Sequence, residues 1–269
     1  MKPRKLIIGL GTGRCGTDSL TKVLNKQKDV KAYHEYFFLG WEDDFISALV
    51  ILNQLLRDPE GEFIATVAFY WLNYVPKLCA LLSDVKFVCL WRDKEEVVES
   101  FFEHTKNRNL WTAPTSEHWD LSNLHAIDPL MMSFPKYDLP KREAIAKYWD
   151  EYDRKAKVFA ALHPSNFMYI NVNDALNTKE GMKKMFDFVR IPEENRDYCV
   201  GLTTNKRNEI TAEVELLREH EDIDCSTPDC KNKASRAIKI RAFSMLCFTC
   251  EECERDTVLR LTRKRKELT

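Results

Sequence analysis

The apolar, β-branched run Lys5-Leu6-Ile7-Ile8-Gly9-Leu10 passes without a break into Gly11-Thr12-Gly13-Arg14-Cys15-Gly16, and residues 17–28 then carry Leu20, Val23 and Leu24 at helical intervals. A buried strand, a glycine-rich turn and an amphipathic helix in immediate succession leave few folds open. The N–H groups of the helix start face the turn, and such a terminus attracts anions. The segment is therefore expected to bind a phosphate at the end of a strand inside an α/β sheet.

The rest of the chain repeats the alternation. Strands are expected at residues 30–35, 63–68, 85–91 and 167–172, and helices near residues 43–56, 71–82, 94–105, 141–161 and 179–188. Alternating strands and helices predict a central, mostly parallel sheet flanked by helices. Residues 106–140 carry Trp111, Trp119, His118, His125 and several prolines without a clear period, and read as a long functional loop or lid. No internal repeat or low-complexity tract interrupts the pattern.

With 44% hydrophobic residues, the 269-residue chain can bury one large domain or a domain with an appendage. Its 41 basic and 42 acidic residues nearly cancel, so bulk charge predicts neither a nucleic-acid coat nor a membrane surface, and any anion site must be local. The apolar run after Met1-Lys2-Pro3-Arg4-Lys5 stops at the glycines, too early for a signal-peptide core. The longest apolar segment, residues 45–56, is shorter than the roughly 18 residues that a membrane span needs. The expected setting is cytoplasmic, without membrane attachment, and the nine cysteines are expected as thiols or metal ligands.

Three kinds of phosphate loop compete for residues 9–19. A nucleoside triphosphatase needs a lysine and a hydroxyl after the last glycine, and here Gly16 is followed by Thr17 and Asp18. A dinucleotide loop fits Gly11, Gly13 and Gly16, with Glu35 about 20 residues further on for a ribose, which keeps an NAD(P)-dependent oxidoreductase open as an alternative. It gives no task to Arg14, Thr17, Asp18 or Ser19. The glycines can also serve only to make a tight turn.

The third kind accounts for more residues. Gly13-Arg14-Cys15-Gly16-Thr17-Asp18-Ser19-Leu20 resembles the 5′-phosphosulfate loop of the sulfotransferase family, written roughly P-[RK]-S-G-T-[TS]-x-L, with Gly13 in place of proline and Asp18 in place of the second hydroxyl. In that family a strand also ends in an arginine, followed eight residues later by a serine, and the two hold a 3′-phosphate. Here Arg92 follows the strand 85–91 and Ser100 stands eight residues on. Arginine offers a planar fork to phosphate, and the helix start adds partial positive charge. The bland alternatives are a surface ion pair of Arg92 with Asp93 or Glu96, and a neutral helix position for Ser100.

The resemblance implies the P-loop-like sulfotransferase fold, 3′-phosphoadenosine 5′-phosphosulfate (PAPS) as donor, adenosine 3′,5′-bisphosphate as product, and no catalytic metal. It implies that Gly11, Thr12, Gly13, Arg14, Cys15, Gly16, Thr17, Asp18 and Ser19 wrap the 5′-phosphate, with Arg14 beside the bridging oxygen. Arg92 and Ser100 then take the 3′-phosphate. Lys206 and Arg207 lie where the family often closes a loop over it, with a solvated loop as the alternative.

Sulfuryl transfer to a hydroxyl or amine needs a base at the attacking group. Glu35 is the first choice and His34 the second, because neighbouring strand residues face opposite ways and only one is expected to reach the site. His104, His118 and His125 stand in reserve, and polar strand-end positions are the bland reading of His34 and Glu35. The acceptor, whether small molecule, glycan or peptide, is not legible. Trp111, Trp119, Phe134 and Tyr137 are aromatic groups that either stack on it or pack, and no feature speaks to oligomeric state.

Near the C-terminus, Cys225 and Cys230, then Cys247 and Cys250, have nearly the spacing of a four-thiolate zinc site, with Cys253 as a surplus ligand and a short hairpin expected within residues 235–246. The chain therefore reads as a sulfotransferase-like α/β domain at 1–223 and, at 224–269, a zinc-ribbon-like appendage with a structural zinc and a terminal helix. Buried thiols are the alternative for the cysteines. The basic run Arg263-Lys264-Arg265-Lys266 keeps a non-enzymatic nucleotide- or nucleic-acid-binding reading open, although a solvated charged face is the favoured explanation.

Overall fold

Leu6, Ile8 and Leu10 face one side of β1 (Lys5–Leu10) and Ile7 the other, and all four are buried, so this strand has a core on both faces. The computed structural model describes residues 4–36, 39–41, 45–57, 61–105, 109–111 and 133–201, and the backbone of three strands at 212–216, 236–240 and 245–249. The chain divides into two units, Met1–Thr204 and Asn205–Thr269.

In the first unit β1 pairs in parallel with β3 (Phe63–Val67) on one edge and with β4 (Val85–Trp91) on the other. β2 (Val30–His34) lies outside β3 and β5 (Phe167–Asn171) outside β4, again in parallel, giving the order β2-β3-β1-β4-β5. The expected parallel sheet is therefore present. The central strands β1, β3 and β4 are buried on both faces and accordingly read as near-continuous apolar runs, whereas the edge strands β2 and β5 are only partly buried.

Helices cover both faces. α1 (Thr17–Asn25) lies on the Ile7 side through Leu20, Val23 and Leu24. α2 (Phe45–Leu56), α3 (Val75–Leu81), α4 (Lys94–Thr105) and α5 (Lys141–Leu162) cover the Leu6 side. α6 (Val172–Asn177) and α7 (Lys179–Val189) return to the Ile7 side with Leu176, Met185 and Phe186.

Two boundaries differ from expectation for local reasons. The helix expected from Trp71 is a 3₁₀ turn, Phe69–Tyr74, that becomes α-helical at Val75, with Pro76 in the first turn where its missing N–H is harmless. β5 stops at Asn171 because that side chain accepts the N–H of Asn173 at 2.8 Å and caps α6, an element the periodicity did not announce.

The chain runs from β1 through α1 to β2, the far edge beyond β3, and then crosses from β3 to β4 on the other side of β1. The carboxyl ends of β1 and β4 therefore flank the point where the winding reverses, the usual ligand position in open α/β sheets. In the dinucleotide fold β2 is the neighbour of β1. Here β3 separates them, which removes the geometric basis for Glu35 as a ribose ligand.

The second unit contains an antiparallel sheet of β6 (Ala212–Leu216), β7 (Arg236–Ile240) and β8 (Met245–Thr249) in that order. The hairpin expected within 235–246 is formed by β7 and β8, but β8 extends to Thr249, beyond that segment, and includes Cys247. This unit starts at Asn205 and takes in β6, which a boundary after residue 223 leaves with the first unit. Lys206, Arg207, His118, His125, Trp119, Cys225, Cys230, Cys250, Cys253 and the terminal helix expected at 254–269 all lie outside the described residues.

Candidate active site

The loop after β1 is built on left-handed backbone. Gly13, Arg14 and Gly16 have φ of 83°, 56° and 92°. A Cβ on Gly13 would stand 2.8 Å from the Phe101 ring, and one on Gly16 would stand 2.8 Å from Val172, so both positions need glycine for conformation and for space. Arg14 takes the same conformation with a side chain, at a cost of about 1–3 kcal/mol by the usual scale of such strain. Gly16 is the N-cap of α1, and no side chain caps the helix. Left-handed residues running into an uncapped helix start form an anion-binding concavity.

α5 holds this loop from behind. The Tyr148 hydroxyl donates to the Thr12 carbonyl at 2.8 Å, and the Tyr152 hydroxyl accepts the Gly11 N–H at 3.0 Å while donating to the Phe69 carbonyl at 3.1 Å. The two tyrosines are one helical turn apart and fully buried. The Gly11 N–H therefore belongs to Tyr152. The Thr12 hydroxyl also turns inward, donating to the Gly13 carbonyl at 2.9 Å. Nothing in a tyrosine at helical spacing announces this task, and the sequence reading missed both residues.

Arg14, Ser100 and Arg92 meet. Arg14 Nε donates to Ser100 Oγ at 3.1 Å across 86 positions, and Arg92 NH1 donates to the Arg14 carbonyl at 3.4 Å across 78. The two motifs singled out in the sequence thus form one cluster at the carboxyl ends of β1 and β4. Arg92 Nε also donates to Glu96 at 2.5 Å, which realises the ion pair considered above without removing Arg92 from the cluster.

His34 and Glu35 both lie beside the loop. His34 Nε2 stands 3.1 Å from the hydroxyl of Thr17, the first residue of α1. Glu35 lies just past the end of β2 with φ 45°, its N–H donating to the Val67 carbonyl at 3.0 Å. Strand alternation therefore ends at His34, and the expectation that only one of the pair approaches the site does not apply. Burial pushes the Glu35 carboxyl above its ordinary value; the nearby His34 and Arg14 oppose the shift and Asp18 adds to it. Asp18, which stands where a phosphate loop would not favour an acid, pairs with Lys22 at 3.1 Å on the same helix.

Cys15 is fully buried beneath Gly11, and burial pushes its thiol up to about 11, so it stays protonated at neutral pH. Ser19 is buried along α1. Trp111 and Phe134 are buried against Phe101 and Tyr148, with ring centroids 4.8–5.9 Å apart, and Tyr137 donates to Glu151 at 2.8 Å. These aromatics pack. His104 is exposed near the end of α4. Among the described residues, no group of three or more His, Cys, Asp or Glu could hold a metal ion, and no helix is long and apolar enough to cross a membrane.

An all-parallel five-stranded sheet flanked by helices, with the glycine loop at its switch point and Arg92 and Ser100 in contact with that loop, defines an α/β domain with a polar cluster at its carboxyl edge. Residues 6–188, more than half of the chain, match the family described as Sulfotransferase domain, and the protein belongs to that family. No curated protein matches the chain.

Proposed function

We propose that the protein transfers a sulfuryl group from PAPS to a hydroxyl or amine of a small-molecule, glycan or peptide acceptor, on a P-loop-like donor site. The observation that carries this reading is the contact of Arg14 with both Ser100 and Arg92, which joins the 5′-phosphosulfate loop to the 3′-phosphate pair. The backbone from Gly13 to Ser19 wraps the 5′-phosphate, with Arg14 at the bridging oxygen. Arg92 and Ser100 hold the 3′-phosphate.

In the transfer the acceptor atom attacks sulfur in line, the bond from sulfur to the bridging oxygen breaks, and charge grows on the departing 5′-phosphate beside Arg14. The acceptor proton passes to Glu35. A carboxylate whose affinity for protons is raised by burial is better matched to this task near neutral pH than an exposed one. His34, through its contact with Thr17, holds the start of α1 against the loop.

Cys225, Cys230, Cys247 and Cys250 hold a structural zinc in the second unit. The register that pairs Arg236 with Thr249 supports this, because the chain arriving from Cys230 enters the same end of the hairpin from which the chain leaves toward Cys250. The four described cysteines of the first unit, Cys15, Cys79, Cys89 and Cys199, are all thiols, which supports a reducing, cytoplasmic setting.

The test is ligand stabilisation together with turnover. A ligand that binds only the folded state raises its melting temperature. Adenosine 3′,5′-bisphosphate should do so without magnesium, while NAD and ATP with magnesium should not, and ³⁵S-labelled PAPS offered with a panel of acceptors should yield labelled product. Stabilisation by NAD in preference to the bisphosphate would refute the assignment.

A further inference from the structure

Arg92 and Ser100 are not alone on their stretch of chain. Glu96 lies one turn before Ser100 on α4, on the same helix face, and its carboxylate accepts Arg92 Nε at 2.5 Å. Arg92 NH1 donates to the Arg14 carbonyl, and Arg14 Nε to Ser100 Oγ, so Glu96 stands at the end of a chain of contacts through Arg92 and Arg14 to Ser100 and is the one anion in it. The acidic neighbours have other engagements: Asp93 accepts the Glu96 N–H at 3.2 Å, and Glu99 pairs with Arg142 at 2.8 Å. The Arg92–Glu96 pair is partly exposed, at 40% and 56% of the side-chain surface. An ion pair so wetted is weak and easily exchanged.

Resting on the donor-site reading above, we infer that Glu96 is a built-in competitor for the donor's 3′-phosphate. It holds Arg92 in the free enzyme and yields it to the phosphate on binding. A guanidinium offers its Nε edge to one anion at a time, so a phosphate that takes this edge displaces the carboxylate. The same carboxylate recaptures Arg92 as the product leaves. Glu96 therefore lowers affinity for 3′-phosphorylated nucleotides, keeps Arg92 oriented between turnovers, and speeds release of the bisphosphate, a step that limits many enzymes.

The experiment measures equilibrium binding of adenosine 3′,5′-bisphosphate and of adenosine 5′-monophosphate to the full chain at fixed ionic strength. Glu96→Gln should tighten bisphosphate binding about two- to fivefold, the upper part of the range expected from removing a weak competing ion pair, and leave the monophosphate unchanged. The bisphosphate off-rate should fall in parallel. Glu99→Gln makes the same change in net charge one turn away and should leave both ligands within about twofold. In an Arg92→Ala background, Glu96→Gln should no longer tighten the bisphosphate. Unchanged or weaker bisphosphate binding in Glu96→Gln overturns the inference, as does equal tightening of both nucleotides. Failure of the wild-type protein to bind the bisphosphate removes the donor-site reading itself, and the inference with it.

Discussion

The Tyr148 hydroxyl, fully buried on α5, donates to the carbonyl of Thr12, 136 positions earlier in the chain and 2.8 Å away. That bond fixes one peptide of the phosphate loop from the side opposite α1. Removing the hydroxyl leaves a buried carbonyl without its donor. Tyr148→Phe is expected to lower stability by about 1–3 kcal/mol, the usual penalty for an unsatisfied buried group, and to weaken binding of adenosine 3′,5′-bisphosphate. Denaturant unfolding and calorimetric titration measure the two effects. A variant as stable as the wild type with unchanged affinity would show that the loop holds its shape without α5.

What the sequence made legible is what short-range chemistry dictates. The strand before Gly11 and the helix after Gly16 follow from periodicity, and Arg92 and Ser100 stood out because an arginine ending a strand with a serine eight residues on resembles the sulfotransferase pattern. Tyr148 and Tyr152 did not, since a tyrosine facing a core has the same spacing whether its hydroxyl holds a loop or only packs. Gly13 is expected from the sequence as a phosphate-loop residue in place of proline, whereas it also makes room for Phe101, a contact across 88 positions of chain that no local pattern records. The place of β2 outside β3 likewise has no local signature. By contrast, β6 was legible and was overlooked: Ala212-Glu213-Val214-Glu215-Leu216 alternates apolar and acidic residues, the mark of a half-buried strand.

Glu35 predicts a pH dependence of stability. Its carboxyl is held above the ordinary glutamate value of 4.5, chiefly by burial. A folded-state value above the unfolded one means that the acid's contribution to stability is fully present below the unfolded value and is lost as pH rises through the folded value. Glutamine does not titrate. The melting temperature of Glu35→Gln should therefore gain on that of the wild type as pH rises from about 4 toward 8 and level off once Glu35 is ionised. Paired thermal melts across that range read the difference directly, and parallel curves would mean that Glu35 is not desolvated.

The second unit makes a prediction about metal. Four thiolates leave no open coordination position and give a closed, structural site. Elemental analysis of protein purified under reducing conditions should find about one zinc per chain, and Cys247→Ser should lose it. Because binding free energy at such a site is folding free energy, chelation should unfold the unit at 205–269, seen as loss of protease resistance there while the first unit keeps its melting transition. A zinc-free preparation whose second unit resists protease equally with and without chelator would leave the cysteines as ordinary thiols.

The two arginines of the cluster should separate in kinetics. In the proposed donor site Arg14 lies where charge develops on the leaving oxygen, whereas Arg92 meets the 3′-phosphate, which is unchanged by the reaction. Loss of a donor that acts mainly in the transition state lowers turnover, and loss of one that binds ground and transition states alike raises KM. Arg14→Ala is expected to reduce kcat by about 10²–10³, the range for one such donor, with a smaller loss of bisphosphate affinity. Arg92→Ala and Ser100→Ala should raise KM for PAPS and weaken the bisphosphate while largely preserving kcat. Because Arg14 donates to Ser100 Oγ, Ser100→Ala should also show a modest loss of kcat that vanishes in the Arg14→Ala background. Steady-state kinetics on the four variants, the double included, decides the assignment. A collapse of kcat in Arg92→Ala, with only KM altered in Arg14→Ala, would exchange the two roles.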